Sequence, residues 1–155
     1  MDERRRGPSP LQLMIVAAIV LVAGALSLLH LLHSRISANE NMARESLHAY
    51  NLALWEYFTI YETYPKALAN LGPGSEAGVN SADLIDPVLA SGKKSGYVFA
   101  YMPGELDFDG TTSMYNLTAS PRVSGLTGRQ SFSMDETGIV HLSTKPSVAQ
   151  SLPTR

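Results

Sequence analysis

An uninterrupted apolar stretch near the N-terminus constrains this chain more than any other feature. Residues 11–32 (LQLMIVAAIVLVAGALSLLHLL) contain no charged residue, and only Gln12, Ser27 and His30 are polar. As a helix these 22 residues span about 33 Å, which matches the roughly 30 Å of hydrocarbon in a bilayer. Cleaved secretory signals have a shorter apolar core of about 7 to 15 residues. The stretch therefore predicts a transmembrane helix.

The charges that flank this stretch predict its orientation. Arg4, Arg5 and Arg6 precede it, whereas Arg35 is the nearest positive charge after it. Because positive residues are retained on the cytoplasmic side, we expect a cytoplasmic N-terminus and a C-terminal domain on the opposite side.

The helix is expected to continue beyond the apolar stretch as an amphipathic half, residues 34–63. No Gly or Pro occurs between Leu32 and Tyr64, and apolar residues recur three and four apart at Leu47, Tyr50, Leu54, Phe58 and Tyr61. The Tyr64-Pro65 step disfavours further helix. The aromatic side chains of this segment are interpreted as core residues that pack on the downstream domain: Trp55, Tyr57, Phe58 and Tyr61.

The remainder predicts a small antiparallel sheet, which makes the fold class α+β. A connector, residues 64–95, contains a short helix that Asp86 caps, that Pro87 begins and that Gly92 ends. Four runs rich in Val, Tyr, Phe and Thr then predict strands within 96–144: residues 96–101, 114–119, 130–134 and 138–142. A hairpin at residues 135–137 joins the last two strands. Residues 145–155 are expected to be a disordered tail.

The composition argues against several classes of function. The chain has no cysteine, so disulfides, thiolate nucleophiles and cysteine-bound metals are excluded. The formal net charge of −2 gives no reason to expect the basic face with which nucleic-acid-binding proteins contact phosphates. No phosphate-binding loop, nucleophile motif or other catalytic constellation occurs, so we expect neither an enzyme nor a cofactor.

Two weak metal motifs are interpreted as non-functional. His30 and His33 lie three apart on a helix, but no further ligands accompany them. Glu105, Asp107 and Asp109 resemble the start of an EF-hand loop, although Asn116 occupies the twelfth position, which requires a glutamate. We expect a solvated acidic turn here, with calcium binding as the open alternative.

The N-terminal residues resemble the prepilin segment of type IV pilins and type II secretion pseudopilins. Arg4-Arg5-Arg6-Gly7 is similar to the basic leader of that family, and PSPLQLMIVAAIV aligns without gaps with the segment that follows it. The Tyr64-Pro65 step and the runs DPVLASGKKSGYVFAY and TGRQSFSMDETGIV are also similar to members of this group. The resemblance implies a leader at 1–7 and a long helix with a transmembrane half, 8–33, packed through its second half on a small sheet.

Two departures from the family pattern concern its functional positions. The leader peptidase of the family cuts after the glycine, but here Gly7 is followed by Pro8, whose imino nitrogen alters both the scissile bond and the amine that is methylated. The family glutamate that pairs with a neighbouring subunit's terminal amine is replaced by the neutral Gln12. Small residues such as Ala17, Ala18 and Gly24 would still permit close approach of neighbouring helices.

The resemblance implies a structural subunit of the inner membrane, and the departures indicate a minor one. Its expected partners are the lipid bilayer, other pilin-like subunits, assembly-platform proteins and a leader peptidase. The alternative is an unprocessed, membrane-anchored module that displays a periplasmic domain to another partner.

Overall fold

The computed structural model describes residues 9–143, apart from the side chains of 25–29. The chain forms two units, Met1–Arg35 and Ile36–Arg155. The expected leader (1–7) and disordered tail (145–155) lie outside the described residues, as do Gly7 and Pro8.

The longest element, helix α1, is Pro10–Tyr61. It ends three residues before Tyr64, where Glu62 adopts a positive φ of 57° and donates its N–H to the Phe58 carbonyl. Among the described residues, no helix has an apolar stretch long enough for a bilayer crossing. The transmembrane half therefore stays a prediction.

In the second unit, one face of α1 is buried. Leu47, Tyr50 and Leu54 have no exposed surface, and Ala43, Ala53 and Tyr57 are almost as deeply buried. The prediction for Trp55 is wrong, because this side chain is 67% exposed. At roughly 100° per residue, position 55 lies about 120° away from the centre of the buried face. Phe58 is half-buried at the edge of that face, and Tyr61 is half-buried in line with the face, where the helix ends.

The strands form one antiparallel meander in the order β1-β2-β3-β4-β5. Their bounds are β1 Lys93–Lys94, β2 Tyr97–Pro103, β3 Tyr115–Pro121, β4 Ser131–Asp135 and β5 His141–Ser143. The α+β prediction is confirmed, but the sheet has five strands instead of four. The additional strand, β1, arises because Ser95 and Gly96 both have positive φ, as the central residues of a type I′ hairpin do, and so pair Lys94 with Tyr97.

The inward face of the sheet covers the buried face of α1. Side chains that alternate along the three central strands form one cluster with the helix: Tyr97, Phe99, Tyr115, Leu117, Ala119, Phe132 and Met134. Alternation places the intervening residues on the opposite face. At about 25 cal/mol per Å² of buried apolar surface, this helix-on-sheet contact is the main stabilising feature of the domain.

The turn between β4 and β5 is longer than predicted. It comprises residues 136–140, and β5 begins at His141 instead of residue 138. Asp135 Oδ1 accepts the Thr137 N–H at 3.0 Å, and Gly138 then has a φ of +73°. This φ favours glycine, and a Cβ at this position would also lie 2.6 Å from Asn51 Nδ2 on α1, so a larger residue would have to displace the Asn51 side chain.

The connector contributes to the core and is more regular than predicted. It contains a 3₁₀ turn, Leu68–Leu71, and helix α2, Pro87–Ala90, which Asp86 caps by accepting the Leu89 N–H at 2.9 Å. Five of its side chains are buried: Pro65, Leu68, Leu71, Ile85 and Leu89. Backbone hydrogen bonds from Leu84 and Ile85 to the Leu71 carbonyl hold its two halves together.

Candidate functional site

The first turn of α1 gives Gln12 a defined local role. Ser9 donates its N–H to Gln12 Oε1 at 3.0 Å, and Gln12 donates its N–H to Ser9 Oγ at 3.3 Å. This reciprocal pair is a capping box, and Pro10 occupies the first helical position, where its missing N–H has no consequence. The residue that aligns with the family glutamate therefore caps its own helix. The S-x-x-Q spacing of residues 9–12 is the sequence signal for such a box.

The described part of the first unit exposes apolar side chains on all sides of the helix. Its large apolar residues between Leu11 and Val22 are each 52–74% exposed. Ala18, Ile19, Val22 and Ala23 form one continuous apolar face of this helix. Gly24 has nothing within 4 Å of the position that a Cβ would occupy, so no contact within the described chain requires glycine there. A helix that is apolar all round is typical of one that is covered by lipid or by other helices.

Tyrosines fix the loops of the second unit. Four buried or half-buried phenols donate to backbone carbonyls: Tyr50 to Leu89 at 2.6 Å, Tyr57 to Val79 at 2.8 Å, Tyr97 to Gln130 at 2.7 Å and Tyr101 to Pro65 at 2.9 Å. Each acceptor lies in a connector or a loop, so these bonds attach irregular segments to the core.

Burial also raises the pKa of these phenols. The pKa of Tyr97 rises to about 12, chiefly because burial disfavours the phenolate and secondarily because Glu40 is nearby. The pKa values of Tyr50, Tyr101 and Tyr115 are raised further, also chiefly through burial. Such tyrosines are neutral at physiological pH, and their contacts are those of structural hydrogen-bond donors.

The acidic turn between β2 and β3 is held together by its own carboxylates. Asp109 Oδ1 accepts the Thr111 N–H at 3.1 Å and the Thr111 hydroxyl at 2.6 Å, and Asp107 Oδ2 accepts the Ser113 hydroxyl at 2.9 Å. The hydrogen bonds from Thr111 lower the pKa of Asp109. Asn116, at the twelfth position of the calcium motif, lies in β3.

The described residues contain no group of three or more His, Asp or Glu side chains that could hold a metal ion. This applies to Glu105, Asp107 and Asp109 and also to His30 and His33. A groove of about 110 Å³ lies beside the acidic turn, and Lys66 is the only charged residue in its lining: Tyr57, Thr63, Tyr64, Lys66, Asn70, Val79, Asn80, Leu106, Gly110 and Thr112. A lone lysine without an acid or a nucleophile beside it provides no acid–base pair.

Polar side chains of α1 hold the loop between β3 and β4. Asn39 Nδ2 donates to the Thr127 carbonyl at 2.8 Å, and Glu40 Oε1 accepts the Arg129 N–H at 2.8 Å. Arg44 donates to Gln130 Oε1 at 3.0 Å and lies over the Phe132 ring, 4.6 Å from its centroid. The sequence alone does not indicate these contacts, because nothing in the spacing of Asn39, Glu40 and Arg44 points to a partner some 90 residues away.

Comparison of the chain with protein-family models, with curated proteins and with solved structures gave no match.

Proposed function

We propose that this chain is a pilin-like or pseudopilin-like structural subunit, anchored in the inner membrane and associated with a type IV pilus or type II secretion pseudopilus as a minor component. One observation carries the proposal. A single helix, Pro10–Tyr61, is apolar on all sides in its described upstream part and has its downstream apolar face covered by an antiparallel sheet. Such a helix can bury its upstream part only against lipid or neighbouring helices.

The membrane anchor rests on the sequence. Residues 11–32 contain no charge, and the arginines at positions 4–6 favour a cytoplasmic N-terminus with the sheet domain in the periplasm. Gly24 supports close packing of a neighbouring helix, because glycine within a helix costs about 1 kcal/mol relative to alanine and no described contact in the chain offsets that cost.

The assignment as a minor subunit rests on Pro8 and Gln12. Gln12 carries no charge, and its Oε1 already accepts the Ser9 N–H. It therefore offers no ion pair to a neighbour's terminal amine, although such a pair would be strong in the low dielectric of a membrane. Leader peptidase and assembly-platform proteins are the further partners that this proposal implies.

A second candidate function is an unprocessed, permanently anchored interaction module. Pro8 favours it, because the bond after Gly7 would present a proline to the leader peptidase. Both candidates share the anchor and the domain, and they differ in whether the leader is removed.

Mass spectrometry of the N-terminus, in cells that contain a prepilin peptidase, tests the proposal. The subunit proposal predicts a chain that begins at Pro8, and the anchored module predicts an intact leader. The variant Pro8→Phe is the matched control, because it restores the residue usual in the family. Cleavage of this variant alone would favour the module over the subunit.

Fractionation tests the anchor that both candidates require. We expect the chain to stay with membranes in alkaline carbonate and to be released only by detergent, and we expect protease added to the periplasm to reach the domain. A chain that remains in solution without detergent would contradict both candidates.

A further inference from the structure

The groove of about 110 Å³ beside the acidic turn is formed by three segments of the second unit that are distant in sequence. The segment after α1 contributes Tyr64, the connector contributes Lys66 and Asn80, and the acidic turn contributes Thr112. Concave sites in which a few polar groups converge are where proteins bind small ligands. At about 30 Å³ for a water-sized group, this polar groove has room for roughly four non-hydrogen atoms of a ligand.

Thr112 presents an unpartnered hydroxyl to the polar groove. The residue is only 4% exposed, and its backbone N–H, but not its Oγ1, forms a hydrogen bond within the described chain. The described residues nevertheless contain no side-chain oxygen or nitrogen that is both fully buried and without a hydrogen-bond partner. The hydroxyl must therefore keep some accessible surface, and the groove that Thr112 lines provides it. A nearly buried polar group that the chain leaves unpaired is available to a ligand.

Lys66 and Asn80 add hydrogen-bond donors that the described chain does not use. Lys66 is exposed and lies within 4 Å of no carboxylate among the described residues. The two oxygens of Asn80 lie 3.4 Å from Asn70 Nδ2, whereas the Nδ2 of Asn80 donates to no described group. An ammonium group, an amide and a hydroxyl in the lining of one small groove can therefore all donate to the same ligand.

Hydrogen bonds between the three segments hold the polar groove in this shape. Tyr64 donates its N–H to the Thr112 carbonyl at 2.9 Å, and Thr112 donates its N–H to Thr63 Oγ1 at 2.9 Å. On the connector side, the Tyr57 phenol donates to the Val79 carbonyl at 2.8 Å. Because the walls are fixed before a ligand arrives, binding costs little ordering of the chain.

The charges around the polar groove favour a ligand with one negative charge. Lys66 is the only charged residue in the lining, and the unused polar groups there are mainly donors. Asp107 and Asp109 form hydrogen bonds within their own turn and do not line the groove. Their negative charges nevertheless lie close by, and they disfavour a doubly charged ligand more than a singly charged one. A carboxylate provides two acceptor oxygens and a single charge.

We propose that the polar groove binds one carboxylate group. Lys66 Nζ pairs with the carboxylate, and the Thr112 hydroxyl and Asn80 Nδ2 donate hydrogen bonds to its oxygens. The groove admits little beyond this head group, which a free short-chain acid, an acidic side chain or a chain end can supply. The site goes beyond the proposed function, because it lies wholly in the second unit and needs neither the anchor nor assembly.

Nuclear magnetic resonance titration of the full chain in neutral detergent micelles tests the site with three probes of similar size. At constant ionic strength, propionate should shift the resonances of the Asn80 side-chain amide and the Thr112 backbone amide in a saturable way. Propionamide, which has the same shape without the charge, should bind at least about tenfold more weakly. Propylammonium should not bind. Equal binding of propionamide, or stronger binding of propylammonium or inorganic phosphate, would overturn the proposal.

Two substitutions test the named donors. Lys66→Met removes the charge from an exposed side chain of similar length and should weaken propionate binding about tenfold or more. Thr112→Val removes the hydroxyl, keeps the shape and the backbone bond to Thr63, and should weaken binding about fivefold. Lys93→Met is the matched control, because Lys93 is an exposed lysine outside the groove, and it should have no effect. Equal affinities of the Lys66 and Lys93 variants would overturn the proposal.

Short peptides distinguish the sources of the carboxylate. Blocked Ala-Ala-Glu carries it on a side chain, and Ala-Ala-Ala with a free C-terminus carries it on a chain end. Tighter binding of either peptide than of propionate would identify a carboxylate borne by a partner chain, and weaker binding of both would identify a free acid. Failure of all three to shift the Asn80 and Thr112 resonances would overturn the site. None of these outcomes bears on N-terminal processing or membrane extraction, so the proposed function is tested separately.

Discussion

The upstream and downstream parts of α1 carry similar apolar residues but have opposite environments. In the described upstream part, Leu13, Ile19 and Leu21 are mostly exposed, whereas Leu47 and Leu54 downstream have no exposed surface. The downstream part has one apolar face and one polar face, so a single sheet can cover its apolar residues. The upstream part, as far as its side chains are described, has no polar face, so one covering layer would not suffice. The pattern around the helix, and not its total apolarity, decides which part this chain can bury by itself.

Alkaline pH should have the most different effects on the two parts of α1. The upstream part contains no tyrosine, whereas all seven tyrosines lie in the second unit. Burial raises the pKa of Tyr97 to about 12 from an ordinary value of 10 and raises several others. Below pH 10 these tyrosines are protonated in both the folded and the unfolded chain, so their contribution to stability is fully present. Above it the unfolded state loses protons first, so stability falls progressively through the folded-state pKa.

We therefore expect the domain to unfold cooperatively between about pH 10 and 12, with tyrosinate absorbance rising in the same step. In detergent, circular dichroism should retain the upstream helix after this transition. Titration of all seven tyrosines near pH 10, with the domain still folded, would contradict the prediction.

Truncation of one buried leucine tests the downstream part alone. Leu54→Ala should lower the free energy of unfolding by about 2–5 kcal/mol, because it leaves a cavity between α1 and the sheet. Leu52→Ala is the matched control on the exposed side of the same turn, and it should change stability by about 0.5 kcal/mol or less. Equal losses in chemical denaturation of the two variants would mean that the buried face is misassigned.

A charge in the upstream part should affect insertion without affecting the domain. Leu21→Lys lies near the middle of residues 11–32 and should make membrane insertion less favourable by about 3 kcal/mol. The thermal midpoint of the domain should stay unchanged. Leu52→Lys provides the comparison downstream, where an exposed lysine should leave insertion unaffected. A glycosylation-based insertion assay measures both, and equal insertion of the two variants would argue against a membrane role for residues 11–32.

The smallest expected effect is at the end of α1. Glu62 has a positive φ, a conformation in which a side chain is strained and glycine is not. Glu62→Gly should therefore raise the free energy of unfolding by about 0.5–1 kcal/mol. Thr59→Gly, within the last turn of the helix, is the opposite control and should destabilise the domain by about 0.3 kcal/mol. Denaturant midpoints that shift in the same direction would contradict this account of the helix end.

Much of the fold was predictable because its signals are local. The spacing of Leu47, Tyr50 and Leu54 predicted the buried face, and Asp86 before Pro87 predicted α2. The aromatic character of Trp55 favours a core position, but its angular position on the helix places it outside the buried face. Strand β1 escaped prediction because Lys93 and Lys94 have no strand pattern. The hairpin instead depends on positive φ at Ser95 and Gly96.

The candidate sites were less predictable, because contacts between distant residues define them. The bond from Tyr50 to the Leu89 carbonyl and that from Glu40 to the Arg129 N–H join segments roughly 40 and 90 residues apart. The hydrogen bonds of Asp107 and Asp109 within their own turn also required coordinates, since the same residues could have been spaced as calcium ligands.

By itself the sequence determined where this chain is apolar, where it can be helical and where it turns, because hydrophobic period and turn chemistry act over a few residues. Only the tertiary structure decided which side chains of α1 meet the sheet and which loops the tyrosines and Glu40 hold. Those outcomes depend on packing between residues that are far apart in the chain, and local propensity carries no information about them.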